Sequence, residues 1–356
     1  MRPGSEDELA ALVRAAAGPL RVVGGGTRGI GVCGGEVLET SGLAGVSLYE
    51  PGALTLVAGA GTSLADVDAV LAGAGQRLGF EVPDLRGLLR RVGDSTLGGM
   101  VAANASGPRR VQGGACRDAL LGVRFVDGRG DVIKNGGRVM KNVTGYDLVK
   151  LLAGSWGTLG VLTEVAFRVQ AVPEAEATLV GFGGVAAMTR ALGSPYDVSG
   201  AAVIGGQTLI RVEGLAGSVG YRAGALRAVL GGDWALVEGA ASAVMWRGVR
   251  DVEPFVGKRG AVWRCSVKPS DAEIVVAGLA EWAPEVVLDW GGGLVWLLVD
   301  DAADVRGVVA QVGGHATCLR GVAVAFPPEN PAVAALTRGL RALFDPRGIL
   351  NAGLMG

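Results

Sequence analysis

The chain has 356 residues, enough for roughly two domains of ordinary size. Hydrophobic residues make up 49%, charged residues 19%, and glycines number 62. With no Gly-X-Y period and this much apolar content, collagen-like and globally disordered chains are excluded. A formal net charge of −1 leaves no basic surplus for a phosphate backbone and argues against nucleic-acid binding.

In chain order, residues 6–17 read as a helix with an acidic first turn, which suits the positive end of the helix dipole. Residues 20–23 form a short strand running into GGGTRG, and 55–58 form another. Ser63 then caps a helix, with Asp66 placed to complete a variant of the capping box. A small-residue stretch follows over 94–107. Residues 120–126 and 132–134 make a hairpin around Asp127-Gly128-Arg129-Gly130. A short helix over 147–154 and a strand over 161–169 complete a first domain, 1–173. From 174 to 330, strands (178–182, 201–204, 208–212, 235–238, 261–267, 286–290, 294–299) alternate with helices (185–192, 218–230, 271–281, 302–312). That texture predicts an α+β domain on a mostly antiparallel sheet. A last helix, 331–344, and a turn-rich tail end the chain.

The four cysteines are far apart, with no CxxC or Cys/His pair, so no zinc or iron–sulfur site is built locally, and free thiols in a reducing compartment are expected. A single histidine, His315, rules out a His-rich metal centre. No apolar run reaches the ~18 residues of a membrane span, and the acidic N-terminus lacks a signal-peptide core.

Three constellations carry possible chemistry. The first is Gly24, Gly25, Gly26, Thr27 and Arg28 at the end of a strand. Consecutive glycines expose backbone N–H groups in a concave nest that binds anions, though they also make a plain tight turn. The pattern is neither Walker A nor GxGxxG before a long helix. The second runs from Asp94 through Ser95, Thr96, Gly98 and Gly99 to Ser106, Arg109 and Arg110. Its small side chains admit a flat ligand against the backbone, or simply a close helix contact. The third spans Arg138, Lys141, Tyr146 and Asp147, then Gly157, Thr158, Gly160 and Val161. Its glycines leave a strand edge open to an adenine, or the loop merely caps the sheet.

In this order and spacing, GGGTR, STLGGMVAANASGPRR and GGRVMKNVTGYDLVKLLAGSWGTLGVLTE resemble the PCMH-type FAD-binding family, shared with vanillyl-alcohol oxidase. WRCSVKPS, LDWGGGLVW, GGHATCLRG and FDPRGILNAGLMG resemble the FAD-binding subunits of bacterial glycolate oxidases. The resemblance implies a two-lobed α+β fold in which the second domain caps the flavin and the segment 331–356 returns to the first. It implies FAD as cofactor, with Gly24, Gly25, Gly26, Thr27 and Arg28 around the pyrophosphate. Ser95, Thr96, Gly98 and Gly99 would line the ribityl chain and flavin, Ser106 and Arg109 the ring edge, and Gly157, Thr158, Gly160 and Val161 the adenosine. Asn351 would return near the flavin. Relatives with covalent flavin place a His or Cys against the ring; with no His in 1–314, FAD is expected to be non-covalent. The resemblance further implies a second flavoprotein subunit and an iron–sulfur subunit as partners, a small 2-hydroxy acid as substrate, and a cytoplasmic location, peripheral to the membrane through partners.

Oxidising a 2-hydroxy acid requires a cation for the carboxylate, a base for the hydroxyl proton and a flavin to accept hydride. Arg109, Arg110 and Lys141 are the candidate cations. His315 is the candidate base, with Tyr146 as the alternative acid/base.

Overall fold

The computed structural model describes residues 1–138 and 145–355; Lys141, one of the candidate cations, lies outside them. The first helix, Glu6–Ala15, starts where Ser5 Oγ accepts the Glu8 N–H, and it buries Leu9, Ala10 and Val13. This is the expected cap, one apolar face and an acidic first turn. The strands of the first lobe are β1 (Leu20–Val23), β2 (Glu36–Glu39), β3 (Val46–Glu50), β4 (Thr55–Gly59), β5 (Gln76–Leu78), β6 (Leu120–Val126), β7 (Val132–Gly136) and β8 (Val161–Ala171). β1 and β2 pair in parallel, and the helix packs beside them. The others form an antiparallel sheet in the order β3-β4-β8-β6-β7, with β5 also on β8.

The β6–β7 hairpin turns on Asp127, whose buried carboxylate accepts the N–H groups of Arg129 and Asp131. At Ser63 the cap differs in detail from a capping box. Its hydroxyl accepts the Asp66 N–H at 3.0 Å and donates to the Asp66 carboxylate at 2.7 Å, so the two side chains bond each other.

The second lobe contains β9 (Ala175–Gly181), β10 (Val198–Ile204), β11 (Gln207–Gly214), β12 (Ala235–Glu238), β13 (Ala261–Ser266), β14 (Glu285–Asp289), β15 (Leu294–Val299) and β16 (His315–Arg320). They form one antiparallel sheet in the order β12-β9-β11-β10-β14-β15-β13-β16. Both faces are covered. Ile210, Trp263, Cys265 and Leu297 pack under the helices Gly184–Leu192, Ala216–Leu230, Ala272–Gly278 and Val305–Gln311. Alternate residues, among them Leu209, Val262, Leu294 and Trp296, meet the helix Gly239–Arg250 and, from the first lobe, Leu85 and Leu88.

Sequence reading missed β2, β3, β5 and β16 and the helix Gly239–Arg250. That helix, GAASAVMWRGVR, buries Trp246 and Val249 but fills the rest of its inner face with Ser242 and Gly248, so its apolar stripe is short. β16 is an edge strand whose alternation of outward His315 and Thr317 with buried Ala316 and Cys318 spans only four residues. The last helix, Pro331–Phe344, sets Leu340 and Phe344 on the first lobe's core, with the Phe344 ring 6.0 Å from Phe125. Beyond it, Leu350 bridges to Leu20 of β1.

Among the described residues no helix is long and apolar enough to cross a membrane. None of their His, Cys, Asp and Glu side chains form a group of three or more able to hold a metal ion.

Candidate functional site

β1 delivers its chain into Gly24, Gly25 and Gly26, and the packing explains the glycines. A Cβ on Gly25 would sit 1.5 Å from the Asp94 carbonyl oxygen, and one on Gly24 2.4 Å from Thr96 Oγ1. The loop therefore lies directly against the second constellation. Gly26 is left-handed, with φ +69°, and only Val23 comes within 4 Å of the place where its Cβ would be. Thr27 Oγ1 and Ser95 Oγ are hydrogen-bonded at 2.9 Å, tying the two segments by side chains as well.

Thr96 accepts the Gly99 N–H and starts the short helix Leu97–Ala102. Gly98 N donates to Ala60 O, and an added Cβ there would lie 2.8 Å from the Ala60 methyl. The third constellation joins through the tail. Asn351, 4% exposed and at φ +45°, accepts the Val22 N–H on Oδ1 and donates from Nδ2 to Trp156 O, both at 2.7 Å. A Cβ on Gly157 would meet that Nδ2 at 2.9 Å.

Together these segments enclose a cleft of about 420 Å³. From the sequence-derived set, Gly24, Gly25, Gly26, Thr27, Arg28, Thr96, Gly98, Gly99, Gly157, Gly160 and Asn351 all line it. Cys33, Arg91 and Trp156 line it too, without having been assigned a role from sequence. Arg28 stands at the wall between this cleft and a second cavity of about 350 Å³. Its Nη2 donates to Pro83 O at 2.7 Å, while its buried Nε has no partner. Burial pushes its guanidinium down to about 10, and the charges of Asp84 and Cys116 oppose that only in part.

The other expected site residues lie elsewhere. Ser95 lines the second cavity, behind Thr27. Ser106 is buried, donating to Asn104 O and accepting the Cys116 N–H. Thr158 donates to Ser155 O, and Val161 is core. Burial pushes the Cys116 thiol far up, as expected of a structural cysteine.

The three catalytic candidates are not brought together. Arg109 is 5% exposed and already bound. Its Nε and Nη2 hold both oxygens of Glu213 at 2.9 and 2.8 Å, and Glu81 is 3.6 Å away. A guanidinium saturated by carboxylates has no fork to offer a substrate, so the expected carboxylate anchor is a structural group. Tyr146 is 89% exposed on the surface, and its carbonyl accepts from Asn135. His315 opens β16 and does not line the cleft. Burial first, then the charge of Arg264, lowers its proton affinity.

The chemistry of the cleft fits a dinucleotide. It has a glycine loop with no side chains in the way, hydroxyls at its rim, and a buried arginine with an unpartnered N–H at its wall. Fold and cleft define a PCMH-type flavoprotein, and the family described as FAD binding domain matches residues 1–136. Among solved structures, alkyldihydroxyacetonephosphate synthase superposes with a TM-score of 0.69 at 17% identity. It covers 99% of this chain and 76% of that one, a likeness of fold. Among curated proteins, glycolate oxidase subunit GlcE of Escherichia coli (strain K12) is 34% identical over 327 residues, 90% of this chain and 87% of the relative. Glycolate oxidase subunit GlcD of Bacillus subtilis (strain 168) is 42% identical over 86 residues, 24% of this chain and 18% of that one. The chain belongs to the family of glycolate oxidase subunit GlcE, and FAD is its cofactor.

Asn351 links the tail, β1 and the Trp156 turn. Asn351→Ala leaves the Val22 N–H and the Trp156 carbonyl unpaired and puts alanine at a positive φ. Each buried orphan costs about 1–3 kcal/mol. The urea midpoint of the variant is expected to fall and its FAD affinity to drop; an unchanged midpoint would show that the tail is not held by this side chain.

Proposed function

We propose that this chain is the FAD-binding subunit of a 2-hydroxy-acid oxidase complex and takes part directly in oxidising glycolate or a close homologue to the 2-oxo acid. The observation that carries the reading is the single cleft shared by three separated segments in a chain of the GlcE family. The loop at residues 24–28 holds the pyrophosphate through its backbone N–H groups, with Arg28 behind it. Thr96, Gly98 and Gly99 lie along the ribityl chain and flavin, Gly157 and Gly160 along the adenosine, and Asn351 fixes the junction. Ser95, Ser106, Thr158 and Val161 shape these segments from behind. The cofactor is held without a covalent bond. Bound FAD supplies the two-electron acceptor. That acceptor would take the two electrons released when a 2-hydroxy acid becomes a 2-oxo acid.

A second reading makes the chain an accessory subunit whose partner performs the chemistry. Two observations favour it. Arg109, Tyr146 and His315 stand apart from the cleft, and the last helix exposes Val333, Leu336 and Leu343, an apolar row of the kind subunits cover. In either reading the partners are a second flavoprotein subunit and an iron–sulfur subunit, and the assembly is cytoplasmic, peripheral to the membrane through those partners. That two relatives are glycolate oxidase subunits supports the assembly.

Anaerobic titration of the purified, FAD-loaded chain with glycolate and D-lactate separates the two. Bleaching of the flavin absorbance is the result expected of a catalytic subunit. A flavin that stays oxidised with both acids would transfer the chemistry to the partner.

A further inference from the structure

The face of the second sheet that meets the first lobe carries the Arg211 and Glu213 pairs on β11 and, across an apolar stretch, a second polar group at the far end. There, Ser266 of β13 pairs with His315 of β16 and with Leu294 of β15, and Leu294 pairs with Asp289 of β14. Directly opposed residues share a face, so His315, Ser266, Leu294 and Asp289 form one cross-strand row. Arg264, two residues before Ser266, lies on the same side. It alternates with Trp263 and Cys265, which belong to the core of the opposite face.

At the end of β14 the chain turns at Trp290, held at φ +54° by the Asp289 carboxylate, which accepts its N–H at 2.7 Å. The indole reaches the other lobe, donating from Nε1 to Gly107 O at 3.0 Å. Two guanidiniums converge on this ring. Arg110 of the first lobe has its Cζ 4.3 Å from the centroid, and Arg264 of the second lobe 5.1 Å.

Neither arginine has a carboxylate within ion-pairing distance or a side-chain hydrogen bond among the described residues; Arg110 is half-buried and Arg264 is more deeply enclosed. This contrasts with Arg77, Arg109 and Arg211 nearby, each of which ion-pairs with a glutamate. Two like charges drawn to one indole, neither of them in an ion pair, would be stabilised by an anion entering between the lobes. Asp289 near Arg264 and Asp118 near Arg110 are outside ion-pairing distance, and burial above all pushes Asp289 up to about 7. Burial and the neighbouring Arg110 charge push Arg264 down to about 10, which still leaves it cationic at neutral pH.

We propose that Arg110 and Arg264, positioned by Trp290, form a carboxylate-binding site between the lobes, and that this site takes the carboxylate of the 2-hydroxy acid. The fork of each guanidinium matches the two oxygens of a carboxylate. The anchor is split between lobes, so substrate is gripped only where the two meet. The site replaces Arg109 as the substrate cation. The identity of the acid rests on the function proposed above; the anion site itself does not.

The test uses oxalate, a non-reducing mimic, titrated calorimetrically into the FAD-loaded chain and into Arg264→Gln, Arg110→Gln and Arg264→Lys, with flavin content read from the absorbance of each. Both glutamine variants are expected to bind oxalate about 10- to 100-fold more weakly, the loss typical of a charge-assisted pair. Flavin content is expected to stay unchanged and lysine to restore part of the affinity. Unchanged oxalate affinity in the variants overturns the proposal, as does a flavin-loaded wild type that ignores oxalate. Should one variant fail to fold, the other decides. Inorganic phosphate bound as tightly as oxalate, and lost in the same variants, would mark a general anion site and also overturns the carboxylate assignment. A wild type that takes up no FAD but binds oxalate through these arginines keeps the anion site and overturns the flavin reading instead.

Discussion

Replacing Gly26 with aspartate is expected to yield folded but colourless protein. Gly26 sits at φ +69°, and the space beyond its Cα is open toward the cleft rather than filled by protein. Asparagine and aspartate tolerate a positive φ better than other side chains, so backbone strain is similar for both. What differs is charge. A carboxylate about 4 Å from a pyrophosphate, at an effective dielectric near 20, costs on the order of 4 kcal/mol. That is roughly a thousandfold in Kd. Gly26→Asn is therefore the control: it adds the same volume without the charge and is expected to keep much of its flavin. Equal loss in both variants would attribute the effect to shape. Yellow Gly26→Asp protein with full flavin stoichiometry would remove the pyrophosphate from this loop altogether.

The parts of the site that could be read in the sequence are those where backbone, not side chain, does the work. At Gly24, Gly25 and Gly98 a single carbon would collide with Thr96, Asp94 or Ala60, so glycine there is a direct trace of close approach between segments. The return of Asn351 was anticipated from the resemblance, and its side chain bonds to β1 and to the Trp156 turn. The charged groups were harder. Arg109 looked free because its counter-ion is 104 residues away, in β11. The strand QTLIRVEG alternates as though Arg211 and Glu213 faced water, yet they are 1% and 5% exposed because this sheet is covered on both faces. Trp290 and Arg264 carried no local signal either. Their meaning arises only when a turn of the second lobe reaches Gly107 and Arg110 of the first. A pair such as Arg211 and Glu213, two apart in an otherwise apolar strand, is the clue that was present: two charges on one face of a buried strand need partners from elsewhere.

Those partners make Glu213 the group whose loss is expected to cost most stability. Its carboxylate, 3% exposed, receives Arg109 through two hydrogen bonds and Arg77 at 2.8 Å, with Arg211 Nε 3.5 Å away. Arg211 in turn holds Glu81 at 2.8 and 3.1 Å. Three arginines against two glutamates leave one net positive charge in the cluster, and Glu213→Gln raises it to two. Stripping one member from a buried ionic network costs about 3–5 kcal/mol, because the orphaned charge stays buried. Arg109→Met combined with Glu213→Gln returns the balance to one and is expected to recover at least half of that loss in urea unfolding. The acid side gives an independent check. Burial alone would raise the Glu213 proton affinity, but the charges of Arg211, Arg109 and Arg77 outweigh it and hold the carboxyl far below its ordinary 4.5. Glu81 is lowered in the same way, by Arg211 and Arg109 against burial. A group whose folded value is depressed contributes stability that is complete above the unfolded value and drains as pH falls through the folded one. Wild-type stability should therefore decline steeply as pH drops below about 4.5, whereas Glu213→Gln should decline less over that interval. A single variant that loses under 1 kcal/mol, or an acid limb no shallower than wild type, would mean that packing rather than this charge network joins the lobes.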